Sequence, residues 1–185
     1  MIKKGRTEIR LSGSGGQGLI LGGVILAEAA ILDNYNAVQS QSYGPEARGG
    51  SSKSDVVISK EKILYPKATK LDILLALNQE SCDAYASYLK DKGLLFVDED
   101  AVEHLPPGQY VRLPLVRTAR EKIGKVMTTN ILSLGVIVGV TKIVSEKSLI
   151  KAVMNRIPKG TEALNMKAIK TGLDMGKRAA VEMQF

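Results

Sequence analysis

The run Gly13-Ser14-Gly15-Gly16-Gln17-Gly18 constrains the fold of this chain more than any other segment. Before it, residues 7–12 alternate Ile9 and Leu11 with polar neighbours, the period of a strand. After it, Leu19–Leu32 is apolar on nearly every face, as expected of a helix buried against a sheet. Glycines between the two permit positive φ and close backbone approach, so the chain opens as strand, tight turn, helix. That unit commits the chain to an α/β architecture.

The pattern continues in the same sense. Strands are predicted at 36–41, 55–59, 71–77, 93–97 and 110–113, with helices at 79–91 and about 118–123. Residues 42–54, rich in Gly and Ser around Pro45, read as a loop. From Thr128 the spacing turns helical, over 128–144, 145–155 and 161–183, with Ser145 and Thr161 as helix starts. No repeat or linker divides the 185 residues, and at about 150 residues per domain one domain is expected. The predicted fold is a single α/β domain with a Rossmann-like, mostly parallel sheet flanked by helices and a helical C-terminal third.

Composition excludes several functions. The net charge of +7 invites a polyanion, yet Lys and Arg are dispersed and aromatics are only 4%, which leaves few platforms for stacking bases. Nucleic-acid binding is therefore not expected. The oily stretch 131–140 is shorter than the roughly 18 residues of a membrane span, and Lys142 follows it. Residues 1–10 show no apolar core with a cleavage site, so a cytoplasmic protein is expected. A single cysteine, Cys82, and a single histidine, His104, cannot by themselves form an iron–sulfur centre, a zinc site or a nucleophile–base relay. No carboxylate pair stands at a recognisable spacing.

Two loops remain. The G-x-G-x-x-G turn at the start of a helix suits an anion, held by free amides and the helix dipole, or serves only tight strand–helix packing, with Gly22 and Gly23 extending a flat face. A full dinucleotide site also wants an acid at the end of the second strand, whereas Asp33 precedes that strand and its end reads Gln39-Ser40-Gln41. The second loop displays Ser42, Tyr43, Glu46 and Arg48 beside Gly49 and Gly50, where bare backbone lets another surface approach a planar guanidinium. Asn130, near the start of the oily helix, caps that helix or faces a partner. Met166, Met175 and Met183 read as core filler.

Three segments in order, Gly13 to Gly18, Ser-Tyr-Gly-Pro-Glu-Ala-Arg-Gly-Gly at 42–50, and Thr-Asn-Ile-Leu-Ser-Leu-Gly at 129–135, resemble the γ subunit or γ domain of the 2-oxoacid:ferredoxin oxidoreductases. The similarity spans nearly the whole chain, and residues 1–185 are expected to form one pyruvate/ketoisovalerate oxidoreductase γ-type domain. The resemblance implies a cytoplasmic complex that oxidatively decarboxylates a 2-oxoacid, most closely of the 2-oxoglutarate type, transfers the acyl group to coenzyme A and reduces ferredoxin. It places thiamine diphosphate, Mg and iron–sulfur clusters on α, β and ferredoxin-like δ subunits, with none bound by this chain alone. It assigns Gly13, Gly15, Gly16, Gln17 and Gly18 to the cofactor-side turn. Ser42, Tyr43, Glu46, Arg48, Gly49, Gly50 and Asn130 become substrate or subunit contacts. A lone γ chain leaves its docking face uncovered and is expected to self-associate. The alternative is a stand-alone Rossmann-type nucleotide-binding oxidoreductase.

Overall fold

A computed structural model describes residues 5–41 and 51–183. Six strands form one sheet in the order β2-β3-β1-β4-β5-β6. They are β1 (Arg6–Ser14), β2 (Asn36–Gln41), β3 (Ser51–Ser59), β4 (Leu71–Ala76), β5 (Leu89–Asp98) and β6 (Gln109–Leu113). β1 lies inside the sheet, parallel to β4 and antiparallel to β3. β4, β5 and β6 pair in parallel, and β2 pairs antiparallel with β3. The sheet is thus parallel except for β3, as the alternation of strands and helices predicts, although a strictly parallel order would have put β2 beside β1.

Ser51–Ser54, expected in a loop, belong to β3. They pair with Leu11–Ser14 of β1, and with no apolar residue among them they carry no strand alternation. Helix α1 (Leu19–Leu32) lies so close that a Cβ on Gly23 would collide with Ser54 Oγ, which accepts a hydrogen bond from Gln39 Nε2 at 2.9 Å. A second correction concerns 79–91. Helix α2 ends at Tyr85, a short turn covers Ala86–Tyr88, and β5 has already begun at Leu89. The β4–β5 register jumps from Leu71↔Leu89 to Ile73↔Leu94, so Lys90, Asp91 and Lys92 bulge outward and hide the strand's alternation.

After β6 come α3 (Leu115–Thr118), continued by a wider turn over Ala119–Ile123, then α4 (Thr129–Thr141), α5 (Glu146–Arg156) and α6 (Glu162–Glu182). α1, α4, α5 and α6 enclose the larger core with Ile9, Leu11, Val56, Ile58, Ile73, Leu75 and Phe96 of the sheet. Each such side chain fully removed from water contributes roughly 1.5–3 kcal/mol. The other face carries a smaller core of Leu71, Leu74, Cys82, Tyr85, Leu95 and Val97 beneath α2. Met166 and Met175 pack against the larger core, but Met183 is exposed at the end of α6 and fills nothing.

α4 and α6 meet backbone to backbone. A Cβ on Gly135 would stand 2.7 Å from the carbonyl oxygen of Ile169, and one on Gly139 the same distance from that of Leu173. From the other helix, Gly172 and Gly176 press closer still on the carbonyls of Leu132 and Val136. A mid-helix glycine costs about 1 kcal/mol relative to alanine, so four of them are kept only because the close approach buries α4 on all sides.

Two carboxylates tie peripheral segments down. Asp33, at the end of α1, accepts from Ser145 N, Ser145 Oγ at 2.8 Å and Ser148 Oγ at 2.6 Å, and so caps α5 together with Ser145. Glu8 accepts from Thr69 N and Lys70 N and pairs with Arg6. Burial penalises the Glu8 charge, but the two amides and Arg6 outweigh it and hold the carboxyl below its ordinary range.

Gly172→Ala is expected to lower stability by about 2–3 kcal/mol and the melting temperature by about 5–10 °C. Thr171→Ala, on the half-exposed side of the same helix, should change stability by less than about 0.5 kcal/mol; thermal denaturation compares the two. Because the folded Glu8 carboxyl is depressed, its contribution is present above the unfolded glutamate range and is lost as pH falls through the folded value. Urea titrations should therefore find Glu8→Gln less stable than wild type at pH 7 and the difference shrinking as pH drops below 4.

Candidate functional site

The first and third sequence segments meet at the carboxyl end of β1. The strand runs through Gly13 and Ser14, two residues further than the alternation predicts, before turning at Gly15-Gly16-Gln17. Gln17 folds back so that its Oε1 accepts from the Ser14 amide at 2.7 Å. A Cβ on Gly13 would occupy the space of that Gln17 oxygen, so Gly13 and Gln17 fit as a pair. Gly16 and Gly18 have φ of 87° and 69°, the left-handed region that glycine enters without strain. Gly15 and Gly16 are exposed and Gly16 has open space around it, whereas Gly18 abuts Asn130.

Asn130 is buried in the first turn of α4. Its Nδ2 donates to the Gly18 carbonyl at 3.0 Å, and its Oδ1 accepts from the Ile131 amide at 2.8 Å. It neither caps α4, a position taken by Thr128, nor points outward; it locks the third segment onto the first. Asn78 completes the rim. Its Oδ1 accepts from Ser81 N at 2.9 Å to cap α2, and its Nδ2 donates to Ser14 Oγ at 3.0 Å. Sequence reasoning missed Asn78, although an asparagine just before Gln79-Glu80-Ser81 is a helix-start signal.

The antiparallel register puts Ser51 opposite Ser14, so residues 42–50 leave from Gln41 and return at Ser51 beside the glycine turn. Ser42, Tyr43, Glu46, Arg48, Gly49 and Gly50 lie outside the described residues.

The rim of Ser14, Gln17, Asn78 and Asn130 offers amides and one hydroxyl but no titratable group, which suits holding a ligand rather than moving protons. α1 opens on Gly18 with no side-chain cap and no acid in its first turn, so its positive end is not neutralised from within. Asp33 is committed to α5, and β2 ends without an acid, so the ribose anchor of a dinucleotide enzyme is missing. Cys82 is buried with its thiol pushed up by burial and by Asp83, the reverse of an activated nucleophile. Among the described residues no group of three His, Cys, Asp or Glu could hold a metal ion, and no helix is long and apolar enough to cross a membrane.

A mostly parallel sheet with a glycine turn at the end of an inner strand and a helix amino end above it defines a single α/β domain. Residues 8–175 match the family model described as pyruvate ferredoxin/flavodoxin oxidoreductase. The chain belongs to that family. It is 49% identical over 179 residues to the 2-oxoglutarate synthase subunit KorC of Methanocaldococcus jannaschii, covering 94% of this chain and 96% of the relative. The keto/oxoacid ferredoxin oxidoreductase γ subunit of Geobacter sulfurreducens has the same fold with a TM-score of 0.88 and 49% identity, over 95% of this chain and 98% of that one. The 2-oxoglutarate:ferredoxin oxidoreductase of Magnetococcus marinus, solved with 2-oxoglutarate, coenzyme A and succinyl-CoA, shares the fold at a TM-score of 0.84 and 21% identity, over 95% of this chain and 32% of that one.

Asn130→Ala should destabilise the chain by about 1–3 kcal/mol, since it takes the acceptor from the buried Ile131 amide and leaves the Gly18 carbonyl with the Gly22 amide as its one donor among the described residues. Asn130→Asp should be worse at pH 7, where a carboxylate faces that carbonyl, and should recover part of the loss below pH 4 as the acid regains an O–H donor; denaturant titrations at the two pH values check this.

Proposed function

We propose that this chain is the γ subunit of a 2-oxoglutarate:ferredoxin oxidoreductase, a complex that decarboxylates the oxoacid, transfers the acyl group to coenzyme A and delivers electrons to ferredoxin. The observation that carries this reading is the end-to-end match to 2-oxoglutarate synthase subunits. The whole of residues 1–185 acts as one γ-type domain. By the family resemblance, thiamine diphosphate, Mg and the iron–sulfur centres belong to α, β and ferredoxin-like δ subunits of a cytoplasmic complex. What this chain supplies is shape and fixed polarity.

Gly13, Gly15, Gly16, Gln17 and Gly18 form the end of β1 and the turn after it, where the amino end of α1 favours an anionic group of coenzyme A or substrate. Ser42, Tyr43, Glu46, Arg48, Gly49 and Gly50 are assigned as substrate or subunit contacts, since an arginine can give a bidentate, permanently charged contact to a carboxylate or phosphate, or to an acidic group of a partner subunit. Val126 and Met127, 43% and 68% exposed on the turn leading into α4, sit where the third segment approaches the glycine turn and suit a docking face.

The isolated chain should show no oxoacid-dependent dye reduction, and co-purification with α, β and δ chains should restore it with 2-oxoglutarate preferred over pyruvate. Activity from the chain alone would overturn the assignment. Within the assembled complex Arg48→Ala should cost about tenfold or more in kcat/KM, the worth of a charged hydrogen bond, while the melting temperature of the isolated variant stays within a few degrees of wild type. Sedimentation of the isolated chain is expected to show concentration-dependent self-association.

A further inference from the structure

The face of the sheet away from α1 carries a cleft of about 440 Å³ lined by Arg10, Ser40, Gln41, Lys53, Asp55 and Lys67. It opens on the middle of β1 and β3, where Arg10 and Asp55 are register partners, not at the strand ends that form the glycine turn.

Arg10 is 5% exposed and held unusually firmly for an arginine. Its Nε and Nη2 each donate to Asp55 at 2.7 Å, and its guanidinium carbon lies 4.8 Å from the centroid of the Tyr85 ring and 5.3 Å from that of Tyr88. The third nitrogen, Nη1, makes no hydrogen bond among the described residues. Lys53 Nζ stands 5.1 Å from the centroid of the same Tyr85 ring, so two cations share one aromatic ring. Neither Lys53 nor Lys67 forms an ion pair among the described residues. Among the described residues, three cations therefore line a cleft with one carboxylate, already spent on Arg10. An excess of two positive charges in a half-enclosed space is unfavourable unless an anion relieves it.

We propose that this cleft binds a phosphate group, free or esterified. A dianion with several acceptor oxygens matches the excess of charge, the planar guanidinium presents a donor already fixed in place, and the two ammonium groups can adjust around it. A monocarboxylate would leave one charge unmatched. The volume admits the group with bound water or the first part of the molecule that carries it.

The test titrates the full-length chain with inorganic phosphate and, separately, with 5′-AMP as a phosphomonoester, with chloride holding ionic strength constant. The expected result is a saturable rise in melting temperature and a saturable shift of the Arg10 Nε–H resonance in ¹H–¹⁵N spectra. Lys53→Gln and Lys67→Gln should each weaken binding about three- to fivefold, and the double variant about ten- to twenty-fivefold. Lys67 is exposed, so its replacement leaves the ligand-free melting temperature unchanged and separates binding from folding. Equal affinity for the two probes assigns the site to the free anion, and tighter binding of the ester assigns it to an esterified phosphate; both support it. Lack of saturation, an effect that chloride reproduces, or undiminished binding in the double variant overturns it.

Discussion

The absence of side chains at four helix positions governs much of this molecule. Because Gly135, Gly139, Gly172 and Gly176 let α4 and α6 touch through their backbones, α4 is enclosed and its position leaves almost no freedom for adjustment. Its first turn then delivers Asn130 to the Gly18 carbonyl, and Gly18 in turn ends the loop that follows β1. A packing constraint in the helical layer thus fixes the geometry of a polar rim at the end of the sheet.

Much of this was legible beforehand. The glycine turn, α1, the run of strands and the helical final third follow from period and breaker residues, and Ser145 was readable as a helix start. The failures share a cause. β3 begins in serines and β5 begins in a charged bulge, so both strands lack the alternation that betrays a strand, and only their partners in space define them. The paired Gly-x-x-x-Gly spacings at 135/139 and 172/176 were present in the sequence, but nothing local says which two helices will face each other. Asp33 shows the converse: a residue weighed as a ribose ligand turns out to cap a helix 112 residues further along the chain.

The site was legible as an inventory and not as an arrangement. Composition alone said that a chain with one cysteine and one histidine would have to borrow its redox chemistry. That Gln17 closes over the Ser14 amide, that Asn78 hydrogen-bonds the same serine, and that Arg10 packs against two tyrosines are matters of register and rotamer, which no periodicity encodes. The division of labour in the proposed complex follows from this: neutral amides and fixed dipoles bind well and react poorly, which is what a subunit serving another chain's chemistry requires.

The reversed direction of β3 has a further implication. Both stems of the 42–50 segment are clamped into adjacent ladders of the sheet, at the edge where the glycine turn emerges. The entropy of closing such a segment grows only slowly with its length, so residues can be inserted, removed or exchanged there while the ladder beneath stays in step. The architecture therefore uncouples tuning of recognition from maintenance of the scaffold, and offers a natural point for grafting one relative's selectivity onto another's frame.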